Sequence, residues 1–581
     1  MPTIQEAIAF HQLGKAAEAE AAYEEILRER PHHAAALRLF GVLLMNTARY
    51  ARAAEVLVKA VAANPDDIAA QANLATSLQG AGRYTEALAA CDGLLARQPD
   101  HAEALLRRAD ALLALRRFDD AAAAYERYVT VVPNNPSAYI SLATALSGAK
   151  KIDACLARYA QAIALDPANA TAYNNRANEL HRLGRFAEAF DDARRAVSAR
   201  GDFKEAHANV GRSALKLRQF EVARTAFERA LSLAPQDGAQ HRNLAVTLHY
   251  LGDTSTALAH FDEALRLNAT DAQSRVGRAI CLLSIGETAR GLEDFEARKQ
   301  LPEPLGVLVT PRPELQPGEP IAGRKLLVHA EQGLGDTIQL MRYIPALEAM
   351  GANVTLSLTD ILHALARTVS PTVTITNRPY EVDFDVHCAM FSLPRVFGDV
   401  AVRPPYLHAD PVRVAAWRKR IGQSGFRIGV SWHSKKEYES GRSFPLARLQ
   451  GIAALPGVRL ISLQMFDGLD QLHTLPDGMV VEDLGADFDA GHQAFLDTAA
   501  VMDSLDLVIA CDSAVAHLAG ALARPCWLAQ VHIADWRWGL RGTTSALYPT
   551  LRQFRQPRHE DWESVFAEME PALRAHLATL A

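Results

Sequence analysis

"KLLVHAEQGLGDTIQLMRYIPAL", Lys325 to Leu347, is the stretch on which the reading of the fold turns. An apolar run, Leu326 to Ala330, stops at Glu331. Gly333, Gly335 and Asp336 follow, and then a segment with helical spacing. Strand, glycine turn and helix open an α/β nucleotide-binding unit. The third glycine of a dinucleotide fingerprint is missing, since Thr337 and Ile338 stand after Asp336, so the loop does not point to NAD. An aspartate sits where the helix begins.

Downstream, strand and helix patterns alternate. Candidate strands are 325–330, 353–359, 372–376 and 383–387, an α/β unit that the alternation rule makes parallel. A proline cluster, "VRPPYLHADP", closes it near Pro411, and a second α/β unit follows with strands at 427–432, 458–463, 479–482, 505–510 and 525–530. Upstream lies a proline-rich linker, "TPRPELQPGEPIAGR", Thr310 to Arg324.

Before the linker the pattern is a repeat. Prolines stand at 31, 65, 99, 133, 167 and 235, with Gly201 in the one gap, a constant step of 34 residues. Twelve residues before each mark is a small residue: Ala19, Ala53, Ala87, Ala121, Cys155, Ala189 and Ala223. Eight before is something bulkier in most units: Tyr23, Leu57, Cys91, Tyr125, Tyr159 and Phe227. The small residue lets two helices approach, the bulky one fills the groove to the next pair, and proline ends the second helix. This resembles the tetratricopeptide (TPR) repeat. An eighth unit runs to about Ala269, and a degenerate ninth, "AICLLSIGETARGLEDFEARKQ", ends near Gln300. Such a stack has a concave face suited to peptide. Asn175, Asn209 and Asn243 hold one position in successive repeats, with Asn73 further up. A carboxamide can pair with both the C=O and the N–H of an extended chain. The row is similar to the ladder in the TPR arm of O-GlcNAc transferase; the alternative is that asparagine is simply common at this position. Gln5, Leu39, Arg107 and Ser141 interrupt it and confine any ladder to the later repeats.

Bulk properties narrow the function. The chain has 581 residues, 49% hydrophobic and 22% charged, with a net charge of −6 and no basic block, so nucleic acid is not an expected partner. Six scattered cysteines give neither a disulfide framework nor a zinc site, which fits a cytoplasmic location. The start, "MPTIQEAIAF", has no basic region of a signal peptide, and no run of 18 apolar residues occurs.

Five motifs occur in order: "EQGLGDTIQLMRYIPAL", "GVSWHS…GRSFPLARL", "ISLQ", "LDLVIACDSAVAHLAGALARPCWLA" and "DWRWGLRGTTSALYP". Together they resemble the bacterial TPR-linked glycosyltransferases whose catalytic part is similar to ADP-heptose:lipopolysaccharide heptosyltransferases. The likeness covers Lys325 to about Trp562. Within that group the functional analogues are the TPR-bearing flagellin glycosyltransferases of stalked alphaproteobacteria. The resemblance implies an all-α TPR superhelix followed by an α/β GT-B module, two Rossmann-like domains facing a cleft. The expected boundaries are 1–300 for the repeats, 301–324 for the linker, 325–411 for the acceptor-side domain and 412–581 for the nucleotide-sugar side.

The resemblance places Asp336 as general base and the glycine loop, Gly333 and Gly335, on the acceptor side. A carboxylate within hydrogen-bond reach can take the proton of an attacking hydroxyl; the plainer reading of Asp336 is a helix cap. Glu331 is a second acid nearby. In "CDSAVAHLAGAL" the small residues Ser513 and Ala514 open a helix whose free N–H groups suit a phosphate. Asp512, Ser513 and His517 belong to the donor site there, with His517 four residues on as a further donor. Lys435, Lys436 and Arg442 are candidate cations for the leaving phosphate, against the alternative of a solvated basic loop. Arg442 matches the family's arginine before serine, whereas His433–Ser434 replaces its usual glycine–asparagine pair. Gln464, at a strand's C-terminal edge, is expected at the ribose or base, or in a surface turn. Trp536, Trp538 and Tyr548 read as packing. The one "DFD", Asp383 to Asp385, lies in an expected strand, so no metal and no cofactor beyond the nucleotide-sugar substrate is expected. The sequence thus reads as a protein O-glycosyltransferase acting on Ser or Thr of a polypeptide, flagellin among the candidates, recruited by the TPR arm. A homodimer is one expected assembly. The alternatives are a TPR scaffold that has lost catalysis and an enzyme with a lipopolysaccharide-type acceptor.

Overall fold

The computed structural model describes residues 2–302, 307–331, 333–434, 441–491 and 494–580. Lys435 and Lys436 lie outside the described residues. The chain forms two compact units, Met1–Pro235 and Gln236–Ala581.

The first unit is a run of paired helices. From Ala34–Asn46 and Tyr50–Ala63 onward, helices of 13 and 14 residues alternate up to Lys204–Lys216 and Phe220–Leu233. The sequence punctuates them. Two residues after each proline, His33, Asp67, His101, Asn135 and Asn169 cap the next helix by accepting a backbone N–H. The small residues at positions 19, 53, 87, 121, 155, 189 and 223 are fully enclosed. Gly211 shows why size matters, because a Cβ there would lie 2.6 Å from the Phe227 ring. Within each pair the turn passes through left-handed backbone at Gly14, Ala48, Gly82, Arg116, Lys150, Gly184 and Arg218, again every 34 residues. At Ala48, Arg116, Lys150 and Arg218 this costs about 1–2 kcal/mol that glycine would avoid.

The second unit opens with the last two repeats, Gly238–Tyr250 with Thr254–Leu267 and Ala272–Ser284 with Thr288–Phe295, then a 3-10 turn Glu296–Gln300. Paired helices continue to Phe295, and the compact units divide inside this run, between Pro235 and Gln236. The segment expected as a linker is not a free tether. Leu315 and Ile321 are buried, and the Leu315 N–H donates to His387 O at 2.8 Å, adding the segment to a sheet.

Two parallel sheets follow. The first has β1 (Lys325–His329), β2 (Asn353–Ser357), β3 (Thr374–Thr376) and β4 (Val386–Ala389) in the order β3-β2-β1-β4. The second has β5 (Phe426–Ser431), β6 (Val458–Ser462), β7 (Val481–Glu482), β8 (Leu507–Cys511), β9 (Cys526–Gln530) and β10 (Leu551–Arg555) in the order β10-β9-β8-β5-β6-β7. Both grow outward in two directions from their first strand, so the switch points lie between β1 and β4 and between β5 and β8. The expected strand 383–387 begins three residues and ends two residues before the observed β4. Asp383 and Asp385 bind Lys325, at Nζ (2.6 Å) and at the backbone N (2.8 Å), and the Asp385 N–H donates to Lys325 O, so they tie the start of β1 just ahead of the β1–β4 ladder. β10 was not expected at all, because "LRQFR" has no apolar run; its Gln553 is buried and donates to Trp538 O and Thr544 O.

Candidate functional site

The candidate site gathers at the C-terminal edges of the two sheets, where ligands bind in open α/β folds. From the first sheet, β1 leads through Glu331 and Gly333 into helix Leu334–Leu340, with Asp336 in its first turn. From the second, β8 leads through Asp512 and Ser513 into helix Ala514–Ala521, and β9 leads to a turn carrying Asp535, Arg537 and Trp538. The two helices touch. A Cβ on Gly335 would come within 2.9 Å of His517 Cδ2 and 3.3 Å of Ala514 Cα. Gly335 is therefore required by close approach of the two sheets' loops, a more specific role than a turn on the acceptor side.

Arg537 joins the edges. Its Nη2 lies 2.7 Å from Asp336 Oδ1, its Nη1 lies 2.6 Å from Asp535 Oδ1, and its Nε donates to Gln339 Oε1 at 3.0 Å. Its guanidinium also stacks over Trp536 and Phe391, 4.6 and 5.1 Å from their ring centres. Arg442 stands beside Asp512, Nη1 to Oδ2 3.7 Å. Three acids and two arginines thus share one half-buried region. Burial raises Asp336 above the ordinary carboxylate range, with the Asp535 charge adding to it, while Arg537 and Arg442 oppose. Burial, and then Asp535, raise Asp512 as well. Burial would also raise Asp535, but Arg537 and its backbone N–H outweigh this and hold it below the ordinary value.

The sequence-predicted residues take different places. Asp336, Asp512 and Arg442 gather around Arg537 and Asp535. Ser513 lies at the helix start, but its Oγ is enclosed and makes no hydrogen bond among the described residues, including to its own helix. His517 is a packed wedge: its ring stacks on Trp538 at 5.0 Å, and its Nδ1 meets Tyr548 Oη at 3.0 Å. Burial, then the nearby Arg537, push it down to about 3, so it is neutral. Gln464 is no surface turn, and its polar atoms are already engaged. Its Oε1 accepts from Trp432 N, His433 N and Ser431 Oγ, and its Nε2 donates to His433 O and Asp467 O. It shapes the loop after β5 and is not placed to read a ribose. Glu331 is likewise occupied. It accepts two hydrogen bonds from Arg298, at 2.9 and 3.0 Å, and the Phe391 N–H.

The asparagine row is less regular than its period. Asn209 Nδ2 donates to Asn174 Oδ1 at 2.9 Å, Asn174 Nδ2 donates to Asn175 Oδ1 at 3.2 Å, and Asn243 Nδ2 donates to Gln240 Oε1 at 3.3 Å. Asn209 is buried and holds repeats together, while Asn175 and Asn243 remain half-buried.

Asp535 and Arg537 were missed from sequence. Trp536 and Trp538 drew "DWRW" toward packing, yet the alternation of charged and aromatic residues in that motif was the available signal. The last repeats reach this region too. Phe295 meets Phe391 and Trp536 edge-on at 5.7 and 6.3 Å, and the buried His249 feels the charge of Asp535.

Models described as tetratricopeptide repeat match residues 10–78, 73–138, 159–191, 211–272 and 242–302. The N-terminal half is a TPR array. Protein FlbA of Caulobacter vibrioides is 28% identical over 301 residues, which cover 45% of this chain and 48% of FlbA. The chain thus spans about half the length of this curated relative. Among solved structures, YrrB, described as a TPR protein with an unusual peptide-binding site, is 22% identical, with 31% of this chain and 92% of YrrB covered and a TM-score of 0.28. A TPR protein of Parabacteroides merdae is 20% identical, with 42% and 97% covered and a TM-score of 0.34. No helix among the described residues is long and apolar enough to cross a membrane.

Proposed function

We propose that the chain is a GT-B glycosyltransferase that moves a sugar from a nucleotide-sugar donor to a Ser or Thr hydroxyl of a polypeptide recruited by the TPR array. The observation that carries this reading is the meeting of Asp336, from the edge of one parallel sheet, with Arg537, from the edge of the other, at 2.7 Å. It puts a carboxylate with a raised proton affinity opposite the β5–β8 switch point, where a donor nucleotide is expected.

In this mechanism Arg537 holds Asp336 Oδ1 and orients the carboxylate, and Oδ2 takes the proton of the acceptor hydroxyl as its oxygen attacks the anomeric carbon. The bond from that carbon to the nucleotide's phosphate oxygen breaks, and the electron pair leaves with the diphosphate. Arg442 and the free N–H groups at the start of helix Ala514–Ala521 stabilise the departing charge. A binding module without catalysis is the second reading, favoured by the same ion pair, because Arg537 already satisfies Asp336. Incubation of the purified chain with flagellin and a panel of nucleotide sugars decides between them. The first reading expects a mass increment on the polypeptide and release of nucleoside diphosphate; neither product with any donor would leave the binding module.

A further inference from the structure

Half-buried guanidinium groups in the first unit normally have a carboxylate. Arg176 meets the buried Asp192 through two hydrogen bonds, at 2.6 and 2.8 Å, and Arg107 meets Glu103 and Asp110. Arg212, in helix Lys204–Lys216, does not. Its Nη2 donates to Asn178 Oδ1 at 2.9 Å, its Nε is enclosed without a partner among the described residues, and no acid compensates it. The nearby acids are engaged elsewhere. Glu179 accepts from Ser147 Oγ and pairs with Arg182, both at 2.8 Å, and Glu205 lies 3.7 Å from Lys204. Lys216 stands one turn on, and burial together with these two cations pushes His181 down to about 4. Asn178 and Arg212 are 34 residues apart and so occupy one position in consecutive repeats, on the first helices that line the inner face of such a stack. A half-buried cation without a carboxylate is an arrangement that an anionic ligand can complete.

We propose that the inner face at Asn178, Arg212 and Lys216 docks an extended acceptor segment through an aspartate or glutamate side chain. This rests on recruitment of a polypeptide by the array and adds the chemistry that recruitment reads.

The test uses the full chain and three fluorescent ten-residue Gly/Ser peptides: one with three glutamates and an amidated C-terminus, its glutamine counterpart, and that counterpart with a free C-terminal carboxylate. Anisotropy should show binding of the glutamate peptide alone, weakened by added salt and at least tenfold by Arg212→Met. Equal binding of the glutamine peptide, binding only of the free carboxylate, no binding, or no loss in Arg212→Met would each overturn the proposal. Thermal unfolding supplies an independent readout. Methionine keeps the apolar stem and removes the uncompensated charge, so the variant's first transition should rise by about 2 °C. A fall would make Arg212 structural and end the proposal. Glutamate-specific binding without sugar transfer would sink the transferase reading and leave this site standing.

Discussion

In the repeats, Arg83 pairs with Glu86 while both side chains are about half exposed, at 41% and 57%; beside the sheets, Arg298 pairs with Glu331 at 6% and 1%. Both are short ion pairs, yet they do different things. The exposed pair sits one turn apart on one helix and is screened by water. The buried pair joins the end of the ninth repeat to the loop after β1, and Glu331 also holds Phe391, whose ring faces Arg537. Pairs such as Arg83–Glu86, Arg117–Asp120 and Arg185–Glu188 recur at the surface of the array with the helices, and Arg176–Asp192 is a more enclosed exception. Charge beside the sheets is architecture, assembled from distant segments, and it ends at the candidate base.

The comparison breaks most decisively if the last two repeats are dispensable to the α/β unit. A fragment of residues 325–581 lacks Phe295 and Arg298 and leaves Glu331 enclosed without its cation, so it should aggregate or give no cooperative transition. A fragment of residues 236–581 should unfold cooperatively. Calorimetry of the two separates the cases, and a well-folded 325–581 would return those repeats to the array.

Next in size is catalysis. Asp336→Asn should lower transfer by about 10²–10⁴-fold while the protein stays folded. Transfer within threefold of wild type would take Asp336 out of the mechanism.

Arg298→Ala should destabilise the second unit by about 3–5 kcal/mol, because it strands a buried carboxylate. Urea unfolding followed at the tryptophans measures this, since all six stand in the second unit, at 417, 432, 527, 536, 538 and 562.

A smaller effect follows from His249, which burial pushes from 6.5 down to about 4. Between those values the unfolded chain holds a proton that the folded chain does not. Stability contributed by the neutral ring is therefore present above pH 6.5 and lost as pH falls toward 4. Compared with His249→Gln, wild type should lose ground on going from pH 7.5 to pH 5. A gap that does not move with pH would mean that the ring is not enclosed.

The smallest effect is at the surface, where Arg83→Ala should leave the unfolding midpoint unchanged within error. A clear drop would show that exposed pairs in the array carry more than the comparison allows.

The same contrast explains what could be read from the residues alone. The array was legible because each contact recurs after 34 residues, so proline, cap and small residue announce themselves together. The left-handed turn was hidden, since Ala48, Arg116, Lys150 and Arg218 occupy positions where glycine would have signalled it. In the α/β part, strands bounded by glycine and aspartate exposed Asp336 and Asp512, because a loop after a parallel strand is local in sequence. The partner of Asp336 was not legible. Positions 336 and 537 follow strands of different sheets, and the packing of helix Leu334–Leu340 on helix Ala514–Ala521 brings them together. The job of Gln464 was invisible for a related reason, since a carboxamide at a strand end looks alike whether it faces a ligand or clamps a neighbouring loop.

The seam at Pro235–Gln236 has a use in construction. The repeat side chains that meet Glu331, Phe391 and Trp536, namely Arg298 and Phe295, lie C-terminal to it. A chimaera joined there keeps these native contacts of the charged cluster. Joined at residue 301 or 324, it would import a stranger's last repeat, and with it foreign side chains at the places of Phe295 and Arg298.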